Sequence, residues 1–223
     1  MTDTIITVQG SARAEYAPER AVLSFTLAAD GTEREAVVTA VAAALERVST
    51  ALRERHDSQS GPITAWSTDR VAVAGQRPWS GTGEQLPLVH RASVGGRVTV
   101  SGLDSLPELV DALAAEELAT IDGIEWMLGE GRRTSVLTEV RSRAVKDAVT
   151  KATVYAQSIG LGSVHVLALA DPGMLGDAGP GGIPQPRMSR VAMTTSDAPS
   201  PGFSLRPEPI VVEAAVDARF AAR

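Results

Sequence analysis

Residues 5–15 alternate in polarity. Ile6, Val8, Gly10, Ala12 and Ala14 fall on one side, and Thr7, Gln9, Ser11, Arg13 and Glu15 on the other. A period of two describes a strand with one face in a core. Residues 16–20 contain Pro18 and form a turn, after which Ala21, Leu23, Phe25 and Leu27 make the inner face of a second strand. So short a connection predicts that the two strands pair antiparallel. Gly31 ends the second strand. Thr32 and Glu35 then have the spacing of a capping box, and Val38, Val41, Leu45, Val48 and Leu52 repeat at helical spacing as far as about His56. Residues 63–74 and 89–101 read as the third and fourth strands. The polar, turn-rich segment between them reads as the tip of a long hairpin. Ser105 and Glu108 give a second capping box, followed by a helix with Leu106, Leu109, Val110 and Leu113 on one face. Ile124, Trp126 and Leu128 alternate with Glu125 and Met127, which makes a fifth strand.

The longest periodic stretch covers residues 134–159. Leu137, Val140, Ala144, Ala148, Ala152, Ala156 and Ile159 recur three and four residues apart, while Glu139, Arg141, Arg143, Lys146, Asp147 and Lys151 lie off that face. This is one long amphipathic helix, and its alanines predict a close approach to whatever it packs on. Gly160 suits the left-handed conformation that ends a helix. Residues 164–170 are apolar on both sides, the pattern of a strand covered on both faces. Residues 210–220 alternate again. The order strand, strand, helix, strand, strand, helix, strand, helix, strand, strand predicts an α+β fold, a mainly antiparallel sheet packed by about three helices. The chain reads as a single domain, 1–223. Residues 171–206 are rich in Gly and Pro, without a period, and are too long for an ordinary connection. Met174, Leu175, Ile183, Met188, Val191, Met193, Phe203 and Leu205 are spaced along this segment. That pattern predicts a loop or arm docked on its own domain or on a neighbouring copy.

Composition narrows the function. Aromatic residues make up only 4% of the chain, so the core is built from Val, Leu, Ile and Ala. The formal charge of −6 argues against a general nucleic-acid binder, which needs clustered cations to neutralise phosphates. There are no cysteines, hence no disulfide, thiolate metal site or cysteine nucleophile. The opening MTDTIITVQG lacks a basic start and an apolar run, and no stretch approaches the roughly 20 apolar residues of a membrane span. The expectation is a cytoplasmic protein.

Candidate chemistry is sparse. His56, His90 and His165 lie far apart in sequence, and His165 reads as a core histidine of an apolar strand. No Gly-x-Ser-x-Gly elbow occurs. The run Gly179–Gly182 lacks the Lys-Ser/Thr ending of a phosphate loop. Glu116, Glu117 and Asp122 read as a solvated acidic face. No catalytic residue, cofactor site or metal ligand is expected. Arg132 and Arg133, with Arg141 and Arg143, form the densest basic patch, which suits a phosphate or an acidic partner; two arginines at a helix start oppose the macrodipole and point to a local acidic partner. Trp126 has strand spacing and reads as core, whereas Trp79 sits in a polar loop and suits an interface anchor.

Several short marks occur in a fixed order: Ile6-Thr7-Val8-Gln9-Gly10 before Ala17-Pro18-Glu19-Arg20-Ala21, Gly61-Pro62-Ile63-Thr64 before Ser67-Thr68, and His90-Arg91-Ala92-Ser93 opening a strand. Ala144, Asp147-Ala148, Lys151-Ala152, Tyr155-Ala156 and Gly160-Leu161-Gly162 complete the set. Together they resemble the SIMPL-domain family, whose bacterial members include periplasmic immunogenic proteins. The resemblance covers nearly the whole chain. It implies an α+β domain that assembles into rings, linked to stress tolerance and the cell envelope, and carries over no catalytic residues. Many relatives have a signal peptide, which the opening MTDTIITVQG is not expected to form, and Pro18-Glu19 stands where the family usually has Pro-Asp. The expectation is a non-enzymatic homo-oligomer, for which the resemblance implies a ring, with Trp79, Arg132, Arg133, Met174, Leu175, Ile183, Met188, Met193 and Phe203 as candidate interface residues. The alternative is a small-molecule-binding module or an unrecognised hydrolase.

Overall fold

The computed structural model describes residues 3–79, 81, 85–175 and 205–223. Within them are three α-helices and eight strands arranged in two antiparallel sheets, an α+β fold. The chain divides into two compact units. Unit 1 takes residues 1–17, 129–198 and 209–223; unit 2 takes 18–128 and 199–208.

Unit 1 is a three-stranded sheet crossed by one long helix. Strand β1 (Thr4–Tyr16) pairs along its whole length with β8 (Ile210–Ala222), from Thr4 opposite Ala222 to Tyr16 opposite Ile210. Strand β7 (Val164–Ala170) pairs with the other side of β8. Because facing residues share a side of the sheet, Ile6 and Val8 lie with Phe220, Ala218 and Val216 on one face, where they are buried with the alanines of helix α3 (Glu130–Ser158). That helix is 29 residues, about 43 Å at 1.5 Å per residue. Its buried positions are Val136, Val140, Ala144, Ala148, Ala152 and Ala156. Each step of four residues overshoots a full turn by about 40°, so the stripe winds around the helix as the sheet beneath it twists. Close approach is possible because Gly10 faces Ala144 and Ala148: a Cβ on Gly10 would lie 2.6 Å from the Ala148 amide nitrogen and 2.7 Å from its Cβ, and would run into the Ala144 carbonyl oxygen. The helix ends in a Schellman turn. Gly160, at φ +81°, donates to the Gln157 carbonyl, and Leu161 donates to that of Ala156.

Unit 2 is built on β2 (Arg20–Gly31), whose Ala21, Leu23, Phe25 and Leu27 are almost wholly buried. It is flanked by β5 (Val89–Val100) and β6 (Ala119–Met127), and β3 (Ile63–Thr68) and β4 (Ala72–Gln76) both pair with β5. Helices α1 (Arg34–Arg55) and α2 (Leu106–Ala114) supply Val37, Val41, Val48, Leu52, Leu109 and Leu113 to this core. Gly96 lies opposite Phe25, and the missing Cβ leaves room for its ring.

Four local expectations are corrected. β1 and β2 do not pair; their outward registers are taken by β8 and by β5 and β6, in separate sheets. A short connection constrains where the next strand starts, not which strand it bonds. The single strand expected over 63–74 is two strands, interrupted where the Asp69 amide bonds the Gly95 carbonyl. Neither capping box forms. α1 begins after Glu33 without a side-chain cap. Ser105 has near-helical dihedrals, and its hydroxyl donates to the Gly102 carbonyl instead (2.6 Å). Finally, β7 is not covered on both sides. It is an edge strand, and most of its side chains are exposed.

Candidate functional site

The chain reaches β7 through the Schellman turn. The amides of Gly162 and Ser163 bond the Arg223 carbonyl, and the Arg223 amide bonds the Ser163 carbonyl, which registers β7 against the end of β8. The ladder runs Val164–Ala222, His165–Ala221 and Val166–Phe220, then skips Leu167 in a bulge and resumes at Ala168–Arg219. Val166 and Leu169 therefore lie on the helix-bearing face, opposite Phe220 and Ala218. Phe220 and Ala218 are buried, but Val166 is 59% and Leu169 51% exposed, and Leu167 at the bulge is 54% exposed. His165 is exposed as well, correcting the core histidine expected from the apolar pattern around it. Near it the Arg223 guanidinium binds Asp3 with two N–H···O bonds and holds that carboxyl below the usual range, with a smaller contribution from His165.

Beyond β7 the chain folds back over β8. Gly173, at φ +83°, donates its amide to Asp217 (2.7 Å), and Arg219 donates to the Leu175 carbonyl (3.1 Å). Met174 is left exposed between them. Among the described residues nothing pairs with the outer edge of β7.

The other candidate residues are scattered. Arg132 and Arg133 belong to the first turns of α3, which begins at Glu130, earlier than the expected residue 134. Arg132 lies over the Tyr16 ring at 5.4 Å, and the Tyr16 hydroxyl bonds Glu139, which also pairs with Arg143. The acidic partner inferred for this patch is thus partly internal, while Arg133 stays exposed. Trp79 is in unit 2, 89% exposed. Ile183, Met188, Met193 and Phe203, with most of the 171–206 arm, lie outside the described residues.

A recess of about 220 Å³ opens between α1 and α2, with Leu52, Leu109 and Leu113 in its wall and Arg47, Arg55 and Glu116 at its rim. Its polar groups bind one another. Arg47 makes two hydrogen bonds to Glu116 (2.9 and 2.7 Å), which lower the Glu116 carboxyl below the usual range, and Arg55 donates to the Ala51 carbonyl. Glu116 is therefore engaged, not part of a solvated acidic face. Among the described residues no group of three His, Asp or Glu side chains converges as a metal site would require. Among the described residues no helix is long and apolar enough to cross a membrane.

The site that periodicity missed is the β7 edge. Its apolar residues were legible, but whether a neighbour covers such a strand depends on sheet order, which spacing does not encode.

A family model spans residues 6–220, from the first buried residue of β1 to the last turnings of β8. The chain belongs to the SIMPL family. The family's description is a protein of unknown function (DUF541). Comparison with curated proteins finds no match. The SIMPL match takes in both compact units, so the β7 edge, the α3 alanine stripe and the α1–α2 recess all lie inside the family's span.

Proposed function

We propose that this SIMPL chain is a non-enzymatic assembly protein that forms a homo-oligomer, with unit 1 as its self-associating part. The observation that carries this reading is the distribution of exposed apolar surface. Thirteen large apolar side chains stand exposed among the described residues, and nine of them, including Tyr155, Ile159, Val166, Leu167 and Leu169, belong to unit 1. Scattered exposed apolar residues are ordinary, but their concentration in one compact unit favours an interaction surface there. The recess between α1 and α2 gives less support to the alternative of a small-molecule module, because its Arg47 and Glu116 already satisfy each other. Light scattering coupled to gel filtration tests the proposal. The expected particle is a multiple of the 23.3 kDa chain at micromolar concentration, and a 23.3 kDa particle there would overturn it.

A further inference from the structure

We infer that Asp147 and Lys151 of α3 lock the free edge of β1. They bond the outward Ser11 N–H and Gln9 C=O themselves, so that the strand of a second copy cannot add there. The inference concerns an edge held closed, and it stands apart from the assembly reading.

A residue in an antiparallel ladder turns its N–H and C=O to the same side, and the side alternates along the strand. Among the described residues β1 has β8 on one side and no strand on the other. Ser11 and Gln9 turn their groups away from β8, and α3 takes them. The Ser11 amide donates to Asp147 Oδ2 (2.8 Å), and Lys151 Nζ donates to the Gln9 carbonyl (3.0 Å). Lys151 Nζ also lies 2.7 Å from that Asp147 oxygen. Four residues apart, the two side chains are neighbours on the helix surface, and both are half-buried. Gly10 makes the reach possible. It lies between Gln9 and Ser11, and its missing Cβ lets the α3 backbone come down at Ala144 and Ala148. The alanines bring the helix close, while Asp147 beside Ala148 and Lys151 beside Ala152 extend over the strand edge.

An adding strand needs a run of free N–H and C=O groups. The lock falls in the middle of the 13 residues of β1 and interrupts that run. Beyond it, alternation turns out only Ile5 and Thr7 towards one end and Arg13 and Glu15 towards the other. Arg13 pairs with Glu15 and with Glu213 (3.4 and 3.6 Å), and charge also blunts an edge. A salt pair that only steadied α3 would need no strand backbone. Glu139 and Arg143 are such a pair: they bind each other and the Tyr16 hydroxyl.

The test uses the full chain. Asp147→Ala with Lys151→Ala removes one charge of each sign and leaves good helix formers in α3. Glu139→Ala with Arg143→Ala is the control. In the first variant the Ser11 amide should exchange its hydrogen at least tenfold faster, while those of Gly10 and Ala12, which alternation turns towards β8, keep their protection. The particle mass from light scattering should rise at least twofold above the parent's, and the control should keep the parental mass. A freed Ser11 amide with an unchanged mass overturns the lock, because the pair then only steadies the helix. An equal rise in the control overturns it as well, and so does loss of protection at Gly10 and Ala12, which would make the pair a support of the β1–β8 ladder. Should the double variant unfold by circular dichroism, Lys151→Met, which keeps the stem and frees the Gln9 carbonyl, must itself raise the mass for the lock to stand. The parent's own mass decides the assembly reading separately, since the lock is read from the change relative to it.

Discussion

Replacing Gly10 by alanine tests the packing of unit 1 more sharply than any larger change. The added methyl would sit 2.6 Å from the Ala148 amide nitrogen and 2.7 Å from its Cβ, and against the Ala144 carbonyl oxygen. Ordinary carbon contacts are about 3.5–4.0 Å, so roughly 1 Å of separation must be found. Two of the three obstructing atoms are backbone, which no rotamer change can move. The helix itself must shift, and with it the zero-exposure contacts of Ala144, Ala148 and Ala152. Overpacking of this kind costs about 1–3 kcal/mol, and alanine recovers about 0.5–1 kcal/mol through its lower chain entropy in a strand. A rigid obstruction places the gross cost at the upper end, and the net expectation is a loss of about 2 kcal/mol. With urea slopes of about 1–3 kcal/mol per molar, the midpoint should fall by roughly 1 M. Circular dichroism is the right probe. Trp66, Trp79 and Trp126 all belong to unit 2, so fluorescence follows that unit and dichroism follows both. Gly123→Ala is the control, because a Cβ there meets nothing within 4 Å. A Gly10→Ala midpoint equal to the parent's would refute the close approach of β1 and α3.

Ala148→Leu should also overpack the same interface and cost about 3 kcal/mol; an unchanged denaturation midpoint would show that the alanine stripe tolerates bulk. Gly96→Ala drives a methyl into the buried Phe25 ring and should cost about 1–3 kcal/mol, seen in tryptophan fluorescence because both residues belong to unit 2. Acid should weaken the fold through Glu116 and Asp147. Arg47 lowers the first, and Lys151 with the Ser11 amide lowers the second. A carboxyl lowered in the folded state contributes its full stabilisation above its unfolded pKa and loses it as pH falls through the folded value. Glu116→Gln should therefore flatten the acid side of the stability profile, and an unaltered slope in urea melts between neutral pH and pH of about 3 would count against the Arg47 pair.

The α+β class, the long helix and the inner faces of β1, β2 and β8 were legible because each has one buried face, and a single buried face imposes a period. Val8 and Val216 needed no partner in view to be placed. Pairing was not legible. β1 finds β8 across the length of the chain, although β2 is the nearest strand in sequence. Capping failed for a local reason: Thr32 and Ser105 have the right spacing, but a cap depends on dihedrals that neighbouring packing sets. The small-residue stripe was visible, yet Gly10 as its counterpart was hidden within an ordinary strand pattern. At β7 two apolar faces read as two covers, and only one is present among the described residues. The same pattern also fits a strand whose second cover is another molecule, and that distinction lies outside periodicity.

The pairing of β1 with β8 sets an order of events during synthesis. Thr4 lies opposite Ala222, so β1 leaves the ribosome first and waits for the last strand before its ladder closes. Unit 2 is nearly contiguous, residues 18–128, and of its later piece Leu205 packs against the core. It can condense while α3 is still being made. Contacts between distant positions are slow because loop closure must come before their reward. Meanwhile α3 emerges with its alanine stripe bare, and β1 with a free edge on either side. The nascent chain thus carries a half that can already condense and an open half at once. Crowded ribosomes on one message would bring those open halves together before any of them is sealed.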